Sequence, residues 1–171
     1  MVGNIILVGY MGSGKTSMAR LLGQHFNMQV VDIDFEIEKS EGLSVNQLFK
    51  EKGEEYFREL ESSIIQSRSW VNTVIATGGG LPCFNNNMGI LNELGKTIYL
   101  KITPKEVRRR VTKSKNKRPL LSLYENGEEL LNYIENSLKE REVFYNSAHI
   151  TIDANDYNKE DVLDKILERL T

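Results

Sequence analysis

The segment Gly9-Tyr10-Met11-Gly12-Ser13-Gly14-Lys15-Thr16 fits the spacing G-x-x-x-x-G-K-[ST]. Glycines so placed let successive backbone N–H groups turn inward around phosphate oxygens, and a helix that follows adds its favourable N-terminal dipole. Lys15 then reaches the β- and γ-oxygens of a nucleotide, and the Thr16 hydroxyl can ligate Mg²⁺. Four fixed positions between an apolar run and a helical pattern make a chance glycine turn a poor explanation. Phosphate binding does not by itself say which chemistry follows. Asn158-Lys159-Glu160-Asp161 matches the N-K-x-D pattern of guanine readers, but no Asp in the chain has Gly three residues later. That tetrapeptide opens the final helical pattern, where Asn and Asp serve as caps.

Two further clusters fall at predicted strand ends. Asp32-Ile33-Asp34 closes the second apolar run. In open parallel sheets the ligand crevice lies at the carboxyl ends of the strands, so both acids can face the phosphate loop. If the strand persists, side chains two residues apart project the same way. Asp32 then serves Mg²⁺ through water, and Asp34 accepts from a substrate hydroxyl or deprotonates it. Asp is also a common helix cap, and the two roles are compatible. Gly78-Gly79-Gly80 ends the third run, either as a flexible turn or as backbone that lies close to a ligand. Three arginines complete the set. Arg58 has Glu61 three residues on, able to pin its guanidinium. Arg141 stands in a helical pattern, where an arginine is more often solvated than a ligand clamp. Arg118 precedes Pro119-Leu120-Leu121 in a polar, basic stretch from Lys113 to Leu123, which reads as a mobile loop able to close over phosphates. Cys83 has no His or second Cys nearby and reads as structural or incidental.

The elements that must position these groups alternate. Short runs rich in β-branched residues at Ile5–Val8, Gln29–Val31, Thr73–Ala76, Thr97–Ile102 and His149–Ile152 are expected strands, buried on both faces. Helical patterns lie between them, which predicts βα units around a parallel sheet. Ser44 with Gln47, and Thr103 with Pro104 and Glu106, form helix-start signals. Gly53–Ser69, Glu128–Tyr145 and Lys159–Leu170 are the clearest helices. With 171 residues, 40% hydrophobic and 27% charged, the chain suits one soluble domain, residues 1–171, with a sizeable core. A net charge of −2 argues against a nucleic-acid or membrane-surface partner. It conceals a local imbalance, since Lys105 to Arg118 holds eight basic residues and one acid. The single cysteine excludes an intrachain disulfide and fits a reducing cytoplasm. No apolar run is long enough for a signal peptide or a membrane span. No heptad or apolar stripe demands a partner, so a monomer is expected.

Taken in order, these motifs resemble the shikimate kinases, a family of small-molecule kinases with a nucleoside-monophosphate-kinase-like P-loop fold. The resemblance runs through residues 9–16, Asp32-Ile33-Asp34, Gly42-Leu43-Ser44 and Gly53-Glu54-Glu55-Tyr56-Phe57-Arg58-Glu59-Leu60-Glu61. It continues through Thr77-Gly78-Gly79-Gly80, Arg118-Pro119-Leu120-Leu121, and Arg141 followed by Tyr145. Any one of the shorter motifs is weak, whereas the ordered set is specific and covers residues 4 to about 157. The resemblance implies a three-layer α/β/α fold with a five-stranded parallel sheet, acceptor-binding helices at about 34–61 and a small lid at about 113–124. It implies transfer of the γ-phosphoryl of ATP to the 3-hydroxyl of shikimate, a step of aromatic amino-acid and chorismate biosynthesis. Asp34, Lys15 and Arg118 would be the catalytic residues. Gly12, Ser13, Gly14, Lys15, Thr16, Ser17, Arg110, Arg118 and Tyr157 would bind ATP, with Arg109 the alternative to Arg110 against adenine. Asp34, Arg58, Glu61, Gly78, Gly79, Gly80 and Arg141 would hold shikimate, the arginines through its carboxylate. Thr16 and Asp32 would serve Mg²⁺. Val143 stands where the family often has proline, which leaves the clamp arginine intact. The other readings are a kinase for gluconate, a nucleoside monophosphate or adenylylsulfate, and a nucleotide-dependent switch with no small acceptor.

Overall fold

Ile5, Ile6, Leu7 and Val8 form β1 (Ile5–Val8), and all four are completely buried. Such a strand must be covered on both faces, and the topology does this by placing it in the middle. In the computed structural model, which describes residues 3–113, 127–155 and 158–170, five parallel strands stand in the order β2-β3-β1-β4-β5. They are β1, β2 (Gln29–Asp32), β3 (Thr73–Ala76), β4 (Lys96–Lys101) and β5 (Ile150–Asp153). Ile6 of β1 registers with Ile75 of β3 on one side and with Thr97 of β4 on the other.

Helices α1 (Lys15–Phe26), α2 (Ile33–Glu41), α3 (Val45–Glu51), α4 (Gly53–Ser67), α5 (Asn87–Leu94), α6 (Pro104–Lys113), α7 (Gly127–Tyr145) and α8 (Lys159–Leu170) flank the sheet. Helix α1 packs on β2, β3 and α8; α4 packs on α5, α2 and α3. Among the described residues, no helix is long and apolar enough to cross a membrane.

Most expected elements are present, with instructive shifts. Strand β2 runs one residue further, to Asp32, and there it stops. Strands β4 and β5 are each displaced by one residue from the expected spans, and His149 falls outside the ladder because its ring and N–H both engage Thr97. Ser44 and Gln47 make the full capping box. Thr103 accepts from the Glu106 N–H, whereas the Glu106 carboxylate is taken by Arg109 and Arg110. Helix α5 was not expected: it starts after Asn86 in a left-handed conformation, with no side-chain cap to advertise it.

At the edge of the sheet remote from the phosphate loop, the Asn4 amide donates to Trp70 and Leu94 carbonyls and accepts from the Thr73 N–H. The segments flanking β1, β3 and β4 are thereby joined through one side chain.

Candidate active site

The order reverses around β1: the chain crosses from β1 past β3 to β2, returns to β3, and only then builds β4 and β5 on the other side. A crevice at the carboxyl ends of the strands follows from that topology, and the motif residues assemble there. Gly14 precedes α1 at φ 94°, a left-handed conformation that a side chain would strain. This turn places the first N–H groups of a 12-residue helix at the mouth of the loop. Lys15, largely buried, donates to the carbonyls of Gly9 at 2.7 Å and Tyr10 at 2.8 Å. The Thr16 hydroxyl donates to Asp32 Oδ2 at 2.6 Å. Two hard oxygen donors therefore stand side by side at the start of α1, a donor set that suits Mg²⁺ shared with nucleotide phosphates.

Asp32 also accepts from the Phe35 N–H and is the N-cap of α2. The strand therefore does not persist through Asp34, as the same-face expectation required. Asp34 instead lies in the first turn of α2, and its carboxylate points at the glycine triplet. A methyl group on Gly78 would stand 2.5 Å from Asp34 Oδ1 and 2.8 Å from Glu61 Oε1. One on Gly80 would lie 2.5 Å from Arg58 Nη2. Gly78 and Gly80 are thus required by the protein's own charged side chains, which pack against bare backbone. The sequence suggested close approach of a ligand; the structure shows close approach of the groups that would hold one.

Arg58 departs from the ordinary solvated helix arginine. It is 9% exposed, donates to Glu61 at 2.6 Å and to Glu54 at 2.9 and 3.1 Å, and has Phe84, Phe57 and Phe49 around its guanidinium at 4.4, 5.4 and 5.6 Å. Cation–π contacts in a desolvated setting hold the planar group in one orientation. Glu61 is completely buried, and among the described residues its second oxygen, Oε1, has no hydrogen-bond partner. Burial pushes its carboxyl up to about 7, against the opposing pull of Arg58 and with help from Asp34. The i,i+3 spacing to Arg58 announced Glu61, and Glu54 at i−4 was equally legible. Phe84, far away in the chain, had no such signal.

Arg141, half-buried on α7, lies over the Tyr10 ring at 5.5 Å, close to Gly79. It approaches the glycine triplet from α7, as Arg58 does from α4. Tyr145, which ends α7, donates its hydroxyl to the Gly79 carbonyl at 2.5 Å. In the sequence, Tyr145 is visible only as part of a motif with Arg141. On the nucleotide side, Arg110 donates to the carbonyls of Gly12 at 3.2 Å and Ala154 at 2.6 Å, and also pairs with Glu106. Of the two candidates it is Arg110 that reaches the phosphate loop, while Arg109 is half-exposed and held by Glu106. Hydrogen bonds from Arg109 first, then Arg110, hold the Glu106 carboxyl down at about 2. Asn158 accepts from the Asp161 N–H, so the N-K-x-D tetrapeptide caps α8. Lys113 ends α6, and the rest of the expected lid, with Arg118, lies outside the described residues, as does Tyr157.

Comparison with known proteins places this arrangement among similar ones. Residues 11–171 match the family model described as shikimate kinase. The shikimate kinase of Azobacteroides pseudotrichonymphae is 36% identical over 168 residues, covering 97% of this chain and 98% of that protein. That of Parabacteroides distasonis is 41% identical over 151 residues, covering 88% and 87%. Among solved structures, shikimate kinase from Bacteroides thetaiotaomicron superposes with a TM-score of 0.91 at 35% identity, covering 98% of this chain and 97% of that one. The Acinetobacter baumannii enzyme in complex with shikimate gives 0.87 at 34%, covering 99% and 93%. A gluconokinase from Sinorhizobium meliloti gives 0.61 at 14% identity, covering 98% and 91%, a likeness of fold alone.

Proposed function

The chain belongs to the shikimate kinase family, and from that premise we propose how its own residues divide the work of moving the γ-phosphoryl of ATP to the 3-hydroxyl of shikimate. The observation that carries the reading is the pair of arginines, Arg58 and Arg141, brought to the same glycine triplet that Asp34 faces. Two guanidiniums beside one carboxylate suit an acceptor with both an acid group and hydroxyls. Arg58 and Arg141 take the substrate carboxylate, with Glu61 and Glu54 fixing the first of them. Asp34 accepts the proton of the attacking hydroxyl. The oxygen then bonds to the γ-phosphorus as the bond to the β,γ-bridging oxygen breaks, leaving ADP.

On the donor side, backbone N–H groups from Gly12 to Ser17 cradle the phosphates. Lys15 exchanges its carbonyl partners for phosphate oxygens, and Arg110 braces the loop through Gly12. Thr16 and Asp32 would hold Mg²⁺, which neutralises phosphate charge when bound. Arg118 is proposed to meet the phosphates from the lid at about 113–124, and Tyr157 to lie on the adenine side. The chain is proposed to work as a single domain, 1–171, as a cytoplasmic monomer.

The test is a coupled ADP-release assay on the purified chain with ATP and Mg²⁺, offering shikimate, gluconate, a nucleoside monophosphate and adenylylsulfate separately. Turnover is expected with shikimate alone. Turnover with another acceptor and none with shikimate would overturn the proposal.

A further inference from the structure

Tyr145 lies one helical turn beyond Arg141 and is completely buried. Its ring lies against Tyr99, with centroids 5.2 Å apart and planes at 34°. Its hydroxyl donates to the Gly79 carbonyl at 2.5 Å. Gly79 in turn abuts the phosphate loop: a methyl group there would be 3.4 Å from Met11 N, 3.7 Å from Gly9 O and 3.8 Å from Arg141 Nη1. One oxygen thus joins the clamp helix to the glycine triplet. Burial holds the phenol well above its ordinary pKa, so it stays a donor at any working pH.

We propose that Tyr145 is a positioning residue for the acceptor site, its hydroxyl tying the helix that carries Arg141 to Gly79 so that the carboxylate clamp is set before substrate arrives. The proposal rests on reading Arg141 as that clamp. A site whose elements are already held in place has less to order on binding, which lowers the entropic cost. The hydroxyl can hold them because it gives its proton to the Gly79 carbonyl from the same helix that carries Arg141, one turn away. Tyr99 supplies an internal control. It has the same ring chemistry and packs against Tyr145, but among the described residues its buried hydroxyl has no hydrogen-bond partner.

The experiment compares Tyr145→Phe, Tyr99→Phe, Arg141→Ala and the Arg141→Ala/Tyr145→Phe double variant. Each is assayed with shikimate varied at saturating ATP and the reverse, with far-UV circular dichroism as the fold check. Loss of the hydrogen bond to Gly79 is expected to raise the shikimate KM of Tyr145→Phe about fivefold, leaving the ATP KM unchanged. Tyr99→Phe is expected to change neither. In the Arg141→Ala background, adding Tyr145→Phe is expected to shift the shikimate KM by less than about twofold, because the two residues act as one unit. A Tyr145→Phe enzyme with wild-type shikimate KM, an equal rise for both substrates, full additivity in the double variant, or loss of fold would each overturn the proposal. An Arg141→Ala enzyme with unchanged shikimate KM would instead overturn the clamp reading beneath it.

Discussion

Gly78→Ala tests the acceptor site with the smallest possible perturbation. The φ angle of Gly78 lies outside the left-handed region, so alanine is acceptable to the backbone and only space is at issue. The added carbon meets Asp34 Oδ1 at 2.5 Å and Glu61 Oε1 at 2.8 Å, whereas real Cβ contacts essentially never fall below 3.0 Å. Asp34 must retreat by about 0.5 Å to reach that limit and by about 0.9 Å for ordinary contact at 3.4 Å, in surroundings too densely packed to give freely. A shift of that size in the group proposed to receive the reacting proton costs about a hundredfold in rate. We therefore expect kcat to fall about 30- to 100-fold, with stability reduced by about 1–3 kcal/mol from overpacking. The ATP KM is expected to stay unchanged, because no phosphate-loop atom is among the three nearest to the new carbon. The neighbouring glycines discriminate further. Gly79→Ala makes contacts of 3.4 Å and longer and should be mild, whereas Gly80→Ala strikes the Arg58 guanidinium at 2.5–2.7 Å and should raise the shikimate KM instead. Coupled ADP release gives kcat and both KM values, and urea unfolding gives the stability. A Gly78→Ala enzyme with kcat within about threefold of wild type would refute the reasoning, since the two carboxylates would then be free to part at no cost.

Two further predictions concern charge. The Glu61 carboxyl, raised from 4.5 to about 7 by burial, binds its proton more tightly in the folded chain than in the unfolded one. Its contribution of about 3 kcal/mol is fully present below pH 4.5 and is lost as pH rises through about 7. Thermal unfolding between pH 5 and 8 should show this decline in wild type, worth about 10 °C in Tm, and should lack it in Glu61→Gln; identical pH profiles would dismiss it. Asp32→Asn keeps an acceptor for the Phe35 N–H but removes the charge beside Thr16. The Mg²⁺ concentration for half-maximal rate, at fixed ATP, should rise about tenfold without loss of stability, and an unchanged requirement would remove Asp32 from the metal's surroundings.

The fold was legible because its strands are short β-branched runs and its longest helices show a strong 3.6-residue period. The phosphate loop was legible because its chemistry tolerates few alternatives at four positions. Less accessible was whatever depends on where separate elements meet. Asp32 both ends β2 and caps α2, and only the structure shows that this turn, rather than a continuing strand, aims Asp34 at Gly78. The glycine triplet was visible as a permissive segment, but the reason for it is the crowd of Asp34, Glu61 and Arg58 drawn from two helices. Helix spacing gave the partner Glu61, while Phe84 comes to the site through packing that no local pattern encodes.

The Asn4 amide has a consequence at the other end of the sheet. With the flanks of β1, β3 and β4 tied together through that side chain, the carboxyl ends of the strands need not also serve as ties. Their last residues and the turns beyond them are left to carry ligand chemistry. Retaining the scaffold and rewriting the acceptor are then separable problems, solved at opposite edges of one layer. Changes of specificity in this architecture are to be sought among the residues that follow the strands, and tolerance to them among the residues that precede.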